Sequence, residues 1–446
     1  MESRPQSVSR RQFIQRTALA SAAGLAVPYV VSASALAGGA RTAPSDKLRV
    51  ALIGAGGMGR ANLDACGKQE DVVVTAVCDV WKERRDAVCA QYSTAKPYAD
   101  FRELLAASDV DGVIIATPPH WHCLIAVAAC EAGKDLYIQK PMTLYVDETL
   151  AIKRAVAKYG RISQVGTQIH AGANYRRVVE RVRSGQLGPI NVVRTFNVMN
   201  QGIKGLGTPP ASVPPADLDW DLWVGPAPMC AYNPLITRSA YENCSFMAFS
   251  GGWTPGMAPH IIDLPIWALE LGVPVRTSCM GSRRVIQDAG DAPDMQEVIW
   301  EYPQTTLHWS MNAANSFGFD FGRGAPERRL GIYFHGVNGT LYADYGMHQI
   351  VGEGDAMKDA SAPPETLPPS PGHEREWLNC IRTREQPSCC VDYHYRLDLA
   401  INLANLSMRL GRDVRWDPVA DALVSDAEAA KLARPEYRSP WQFPNV

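Results

Sequence analysis

Apolar and polar positions follow two different patterns along this chain. From Leu48 to about residue 166, short apolar runs alternate with segments in which apolar residues recur at helical spacing. This pattern predicts strands at 48–53, 72–80, 112–116, 135–138 and 162–166, and helices at 58–68, 81–92, 121–132 and 146–158. Strands that alternate with helices are typical of a parallel, doubly wound α/β sheet.

After residue 166 the strands lose their intervening long helices. The pattern predicts helices at 174–184 and 393–410, and strands at 191–199, 296–302, 305–311, 329–335 and 339–343. Such strands favour an open mixed or antiparallel sheet. A chain of 446 residues also favours two cores. We therefore predict a first domain at 46–166 and a second, α+β domain at 167–446 that ends in a helix and a tail.

The first forty residues have a different composition. Adjacent arginines, Arg10 and Arg11, precede an apolar run from Ala18 to Val31 that contains Pro28, and small residues follow. The run is too short for a stable membrane span. We interpret residues 1–37 as a twin-arginine export signal, which predicts the export machinery as a partner and a periplasmic or otherwise exported location. An ordinary secretory signal with a chance arginine pair is the alternative.

Charge and cysteine usage narrow the classes of partner. With 44 basic and 46 acidic residues, the net charge of −2 gives no reason to expect nucleic acid or an anionic membrane. The 11 cysteines are odd in number and contain no C-x-x-C pair. This favours free thiols, and it predicts no metal site.

A glycine-rich turn follows the first predicted strand. Residues 54–59 read G-x-G-x-x-G, with glycines at Gly54, Gly56, Gly57 and Gly59 and with Met58 inside the motif. Such a turn brings a pyrophosphate against the helix N-terminus. Asp79 ends the second strand about 20 positions later, where a carboxylate accepts both ribose hydroxyls of NAD. The motif and Asp79 predict NAD, although Lys82, Arg84 and Arg85 leave NADP open, and export of an already folded protein favours NAD that is tightly bound.

Two further strand ends belong to the same edge of the predicted sheet. Thr117 and Pro118 follow the strand at 112–116, and we expect them to line the cofactor. His122 is a further candidate for the cofactor site, with capping of the next helix as the alternative. The strand at 135–138 runs into Gln139 and Lys140 before Pro141, which places a lysine at the strand tip.

These segments resemble the Gfo/Idh/MocA oxidoreductase family over residues 48–411. The stretches that carry the resemblance are "VALIGAGGMG", "ATPPHWH", "AGKDLYIQKP", "SGQLGPI", "GMAPHIIDLPIWAL" and "HGVNGTLYAD". The family usually has Glu-Lys-Pro where this chain has Gln-Lys-Pro, and often Asp-x-x-x-His where this chain has Gly256 and His260. Two of the family's usual carboxylates are therefore replaced.

The resemblance implies roles for individual residues. Lys140 would polarise or deprotonate the substrate hydroxyl, and His260 would be a general acid/base, with a packed histidine as the alternative. Asp263 would orient His260 or bind a sugar hydroxyl. Gln139 would touch the cofactor site and orient Lys140 by hydrogen bonding without adding charge.

Aromatic and histidine side chains of the second domain are candidates for substrate binding. We expect Trp223, Trp253, Tyr175, His170 and His260 to contribute, since aromatic faces stack on sugar C–H faces, and packing is the alternative for each tryptophan. Further candidates for the cleft are Trp220, Trp309, Arg176 and His394.

The resemblance implies an NAD-dependent oxidoreductase of a sugar, glycoside or polyol, assembled as a homodimer or homotetramer. An exported enzyme must reoxidise its NADH in place. Either a second carbonyl compound is reduced, or one glycoside is oxidised, undergoes β-elimination and water addition, and is reduced again. The second scheme is net hydrolysis. A non-catalytic carbohydrate-binding protein on the same scaffold is the third hypothesis.

Overall fold

The first apolar runs form a six-stranded parallel sheet, as predicted. The computed structural model describes residues 46–317 and 329–446, so the predicted signal at 1–37 lies outside the described residues. The strands are β1 Leu48–Ile53, β2 Val72–Cys78, β3 Lys96–Tyr98, β4 Gly112–Ile115, β5 Asp135–Ile138 and β6 Ser163–Val165. Their order, β3-β2-β1-β4-β5-β6, is that of a doubly wound nucleotide-binding sheet. The edge strand β3 was not predicted because it has no apolar run.

Five helices of the described residues connect these strands, four of them at the predicted places. They are α1 Gly57–Gly67, α2 Lys82–Cys89, α3 Phe101–Leu105, α4 His122–Glu131 and α5 Val146–Tyr159. Only the five-residue α3 was not predicted. Helix α5 ends at Gly160, whose φ of 61° is a conformation that glycine adopts readily.

The second part of the chain builds a mixed sheet of ten strands. They are β7 Ile190–Asn200, β8 Arg276–Ser282, β9 Met295–Glu301, β10 Thr306–Asn312, β11 Ala314–Asn315, β12 Leu330–Gly336, β13 Gly339–Ala343, β14 His348–Gly352, β15 Val414–Asp417 and β16 Ala422–Leu423. Strands β7 and β10 pair in parallel, and the other pairs are antiparallel. The predicted mixed sheet is confirmed.

In the described part of this region, ten helices accompany the sheet. They are α6 Ala173–Arg183, α7 Trp220–Val224, α8 Pro234–Arg238, α9 Ala240–Asn243, α10 Met247–Ser250, α11 Trp253–Met257, α12 Pro259–Ala268, α13 His373–Thr383, α14 Val391–Leu410 and α15 Ala427–Leu432. Helices α6, α12 and α14 share a core with the inward-facing residues of the strands, including Trp300 and Trp309. No helix in the described ranges is long and apolar enough to span a membrane.

The C-terminal part of the chain also packs on the first sheet. Trp377 and Ile381 of α13 share a core with Val50 and Leu52 of β1. A Cβ at Gly112 would lie 2.9 Å from the Trp377 ring, so β4 and α13 are in close contact. The division at residue 166 remains a prediction, and packing crosses it.

Candidate active site

The glycine-rich turn forms an open cradle at the end of β1. Gly54 has φ of +98°, and a Cβ there would lie 2.6 Å from the backbone of Ala116. A Cβ at Gly59 would lie 2.0 Å from the carbonyl oxygen of Gly54, so these two positions require glycine for packing. Apart from adjacent residues and the backbone of the same helix, no atom of the described residues lies within 4 Å of a Cβ at Gly56 or Gly57, and both line a cavity of about 680 Å³. This open backbone fits a dinucleotide pyrophosphate.

The Asp79 carboxylate is fixed by backbone amides beside this cradle. Its Oδ2 accepts from Ala55 N at 2.6 Å, and its Oδ1 accepts from Trp81 N at 2.8 Å. Burial raises the pKa of Asp79, while these two hydrogen bonds act in the opposite direction. Nearby, the Arg84 guanidinium lies 4.1 Å from the Trp81 ring centre and donates to Thr237 O at 2.8 Å.

Thr117, Pro118 and Met58 line the same cavity, whereas His122 does not. The His122 ring is fully buried, with Nδ1 at 2.9 Å from Pro141 O and Nε2 at 2.8 Å from Thr117 O. The structure does not place His122 at the cavity that would hold a cofactor, because both of its ring nitrogens face backbone carbonyls. His122 instead links the ends of β4 and β5.

Lys140 projects from the tip of β5 into the same cavity. Its Nζ donates to Gly256 O at 2.9 Å, and burial lowers its pKa. A Cβ at Gly256 would lie 2.6 Å from Cys244 Sγ, so the thiol occupies the space that a side chain at 256 needs. Burial raises the pKa of Cys244 to about 11, which keeps this thiol neutral near pH 7. Lys140 thus has a carbonyl partner in place of the family's usual carboxylate.

Gln139 is directed mainly away from the Lys140 amine. Its Nε2 donates to Asn62 Oδ1 at 2.6 Å, and Asn62 Nδ2 donates to Glu374 Oε1 at 2.9 Å. Its Oε1 accepts from the Lys140 backbone amide at 3.3 Å, and no other described residue donates to it. Gln139 lines the cavity, as predicted, but it orients Lys140 through the backbone and not through the side chain.

His260 lies near the start of α12, within electrostatic reach of Lys140, although neither His260 nor Tyr175 is among the residues that line the cavity. Burial lowers the pKa of His260 well below its usual value, and the charges of Lys140 and His394 act in the same direction. The ring is therefore neutral near pH 7. Tyr175, predicted to bind substrate, is buried and donates its hydroxyl to His260 O at 3.0 Å.

Asp263 is hydrogen-bonded to Tyr393 and not to His260, its predicted partner. Its Oδ1 accepts from the Tyr393 hydroxyl at 2.5 Å, and its buried Oδ2 has no hydrogen-bond partner among the described residues. Burial raises the pKa of Asp263 to about 7. The predicted orientation of His260 by Asp263 is not supported, since no hydrogen bond joins them in the described part of the chain.

Of the predicted substrate-binding aromatics, Trp223 lines the cavity and Trp253 does not. Trp223 stacks on Trp220 with ring centres 4.9 Å apart. Trp253 and Trp309 are buried in the core of the second domain, which corrects their predicted place in the cleft.

His170 and His394 are also enclosed by packing. The His170 ring lies 3.8 Å from the Trp267 ring centre, and its Nδ1 is 3.3 Å from Ser388 Oγ. His394 is fully buried, with its ring nitrogens against Asp398 and Thr167. Neither lines the cavity, so their predicted exposure to substrate is not supported.

Residues that the sequence did not single out complete the cavity wall. Arg238, Ser239, Tyr241, Asn243 and Cys244 line it from α8, α9 and their junctions. Both helices have only four or five residues, too few for apolar periodicity to show. The signals that the sequence offers are the caps, Asn233 before Pro234 and Ser239 before α9.

The described ranges contain no group of three or more His, Cys, Asp or Glu side chains arranged to hold a metal ion. The absence of a metal stays a prediction.

Two family models match this chain. The NAD-binding Rossmann model of the Gfo/Idh/MocA oxidoreductase family matches residues 48–167, and a C-terminal α/β model of the same family matches residues 323–443. Together they cover more than half of the chain. The protein belongs to the Gfo/Idh/MocA oxidoreductase family.

Curated relatives match through a limited segment. Inositol 2-dehydrogenase of Rhodococcus erythropolis is 34% identical over 143 residues, which are 32% of this chain and 41% of the relative. A glycosyl hydrolase family 109 protein of a Shewanella species is 28% identical over 154 residues, which are 32% of this chain and 34% of the relative. The matched segments therefore span less than half of either relative.

Solved structures share the fold over most of the chain. GenD2 from gentamicin A biosynthesis, in complex with NAD, has a TM-score of 0.61 and 18% identity, covering 85% of this chain and 99% of that one. The WlbA dehydrogenase of Bordetella pertussis, in complex with NADH and UDP-GlcNAcA, has a TM-score of 0.62 and 16% identity. The match covers 83% of this chain and 98% of that one. At these identities the likeness establishes the fold alone.

Proposed function

We propose that this protein is an NAD-dependent oxidoreductase that acts on a hydroxyl of a sugar, glycoside or related polyol. The observation that carries the proposal is one cavity shared by the open cradle at Gly56 and Gly57 and by the amine of Lys140. A nicotinamide bound in this cavity would supply hydride acceptance. The chain's own residues then have to move the hydroxyl proton.

Lys140 is the group that takes this proton. Its pKa is lowered by burial, so a larger fraction is neutral at a given pH than for an ordinary lysine. The neighbouring thiol of Cys244 carries no charge near pH 7, and the carbonyl of Gly256 holds the amine in place. His260, neutral and affected by the charge of Lys140, serves as the second acid/base group.

NAD is the proposed cofactor in preference to NADP. The fixed carboxylate of Asp79 would accept ribose hydroxyls and repel a 2′-phosphate. The contacts of Arg84 with Trp81 and Thr237 support this proposal, because they engage the guanidinium that could otherwise pair with such a phosphate.

Redox-cycling glycoside cleavage is the second candidate function. The matches to glycosyl hydrolase family 109 proteins favour it, and it needs the same lysine and the same cradle. Here Lys140 would take the hydroxyl proton and return it when the hydroxyl is restored, with no net oxidation. A non-catalytic carbohydrate-binding protein is the third hypothesis.

Export by the twin-arginine route and retention of NAD through export are part of the proposal. So is a homodimer or homotetramer. Support for assembly comes from the face of the second sheet opposite α12 and α14, where Met280 and Ile299 are exposed by 67% and 49%.

The test compares the wild type with Lys140→Met on polyols and glycosides, with and without added NAD. We expect Lys140→Met to lose turnover by at least about a hundredfold while NAD content after denaturation stays equal. Lys158→Met, an exposed lysine of α5, is the control and should match the wild type. Glycoside cleavage without added NAD selects redox cycling. Turnover by Lys140→Met at the wild-type rate would refute the role of Lys140, and sugar binding without any turnover would favour the third hypothesis.

A further inference from the structure

A short segment of the second domain is hydrogen-bonded to the nucleotide-binding sheet. We call residues 217–225 the strap. Leu218 pairs with Trp81 in an antiparallel bridge, Lys82 N donates to Asp217 O at 2.9 Å, and Asp219 N donates to Val80 O at 3.1 Å. These contacts follow Asp79 directly, so one end of the strap is attached just beyond β2.

The other end of the strap is attached beyond β4. Trp223 O accepts from Trp121 Nε1 at 3.0 Å and lies 3.1 Å from His120 Nε2. A Cβ at Gly225 would lie 2.1 Å from the Trp121 ring, which shows how closely the backbone approaches it. In the sheet order, β1 lies between β2 and β4, and the glycine cradle follows β1. The strap therefore spans the edge of the sheet from which the cradle opens.

The C-terminal tail, residues 433–446 after α15, is hydrogen-bonded to this second end of the strap. Arg438 makes four contacts there: its backbone N donates to Pro226 O, its Nε to Gly225 O, its Nη1 to Asp221 Oδ1 and its Nη2 to Asp221 O, all at 2.8–2.9 Å.

Trp441 fixes the tail to the first domain. Its ring centre lies 4.7 Å from that of Trp121 and 6.4 Å from that of Phe101. Trp121 and Phe101 both line the cavity. The tail thus joins the strap to the nucleotide-binding domain from outside the sheet.

We propose that the strap retains the dinucleotide and that Arg438 and Trp441 act as its latch, so that the C-terminal tail sets the rate of cofactor exchange. This inference rests on the proposed function in requiring a dinucleotide in the cradle. Because the strap is attached on both sides of the cradle and contributes Leu222 and Trp223 to the cavity wall, release of either attachment would widen the exit for a bound dinucleotide. The tail stabilises the attachment at the Trp223 end, so we expect opening of this end to limit the rate at which the dinucleotide leaves.

The experiment measures NADH release from the full chain by stopped-flow fluorescence, with excess NAD as the trap. Arg438→Ala removes three guanidinium donors to the strap, one of them to the Asp221 carboxylate, and should speed release about tenfold to a hundredfold. Trp441→Ala should act in the same direction. Arg415→Ala, an exposed arginine of β15 outside the strap and the tail, is the matched control and should release NADH at the wild-type rate.

A second readout follows the strap itself. Hydrogen exchange at the Asp219 and Trp223 amides, which donate to Val80 O and Asp219 O, should quicken in Arg438→Ala and stay unchanged in Arg415→Ala. If Arg438→Ala does not fold, Asp221→Asn is used in its place. This substitution weakens the same ion pair by changing its exposed acidic member.

The outcomes separate the two proposals. A wild-type protein that binds no NADH or NAD overturns the proposed function. Tight wild-type binding with equal release rates in Arg438→Ala, Trp441→Ala and Arg415→Ala overturns the latch and leaves the proposed function standing.

Discussion

Cys244 explains why this chain has glycine at position 256. A Cβ at Gly256 would lie 2.6 Å from Cys244 Sγ and 3.7 Å from its Cβ. Ordinary contacts between non-bonded heavy atoms are about 3.5–4.0 Å, so Gly256→Ala forces a displacement of about 1 Å. We predict that Gly256→Ala destabilises the protein and that removal of the sulfur relieves the effect.

The size of the effect follows from the surrounding packing. Cys244 lies against α9, where its Sγ donates to Ala240 O at 3.2 Å, and the carbonyl of Gly256 accepts from Lys140. Neither side moves freely, so Gly256→Ala should cost about 1–3 kcal/mol, the usual range for overpacking. In the Cys244→Ala background the same substitution should cost about 0.5 kcal/mol or less, a coupling free energy of about 1–2 kcal/mol.

Urea unfolding of the four proteins in this double-mutant cycle, followed by tryptophan fluorescence, gives the free energies. Gly272→Ala is the control, because no described atom beyond the adjacent residues lies within 4 Å of a Cβ there. It should change the free energy of unfolding by about 0.5 kcal/mol at most. The steric argument would be refuted if the destabilisation of the double mutant equalled the sum of the two single-mutant values within about 0.5 kcal/mol. It would also be refuted if Gly272→Ala destabilised the protein as strongly as Gly256→Ala.

Three further predictions concern the same region. Asp263→Asn should flatten the pH dependence of stability, because the folded-state pKa of Asp263, about 7, lies above the ordinary 3.8. The stabilisation from this group is complete below pH 4 and falls by up to about 4 kcal/mol as the pH rises past 7. Urea unfolding at pH 5 and pH 8 checks this, and an equal change in unfolding free energy between the two pH values in wild type and Asp263→Asn would contradict it. Gln139→Glu should cost about 1–3 kcal/mol by losing the donor to Asn62. It should also shift the acidic limb of the pH–rate profile to higher pH, because the added carboxylate raises the pKa of the lysine that must be neutral to accept the proton; an unchanged unfolding free energy and an unshifted acidic limb would refute it. Gly56→Ala should weaken NAD binding, measured by calorimetry, while changing the unfolding free energy of the cofactor-free protein by about 0.5 kcal/mol or less, since a Cβ there meets no described atom beyond the adjacent residues; unchanged affinity would contradict it.

The sequence predicts elements whose information is local. The apolar runs that form β1, β2, β4 and β5 are each buried along most of their length. The apolar residues of the sequence therefore mark both the strands and the buried positions. The glycine turn could be read because strand, turn and helix are contiguous. Lys140 could be placed at the sheet edge because Pro141 follows a buried strand.

Predictions about individual side chains failed where a distant partner decides the role. His122 follows a strand end and is still directed to the carbonyls of Thr117 and Pro141. Asp263 is three positions from His260 on one helix, yet its hydroxyl partner is Tyr393 of α14. Spacing along one helix specifies a shared face and leaves open which neighbouring element supplies the hydrogen bond.

By itself, the sequence determined the nucleotide-binding sheet, the mixed second sheet, the glycine cradle and the family. Backbone conformation and the alternation of apolar residues act over a few neighbouring positions, so a single chain segment carries that information. Only the tertiary structure decided that Cys244 occupies the space at Gly256, that Gln139 bonds to Asn62, and that Arg438 holds the strap. These contacts join residues 12, 77 and, for Arg438 with Asp221, 217 positions apart. Their energies depend on close packing and desolvation, which exist only after the elements have assembled.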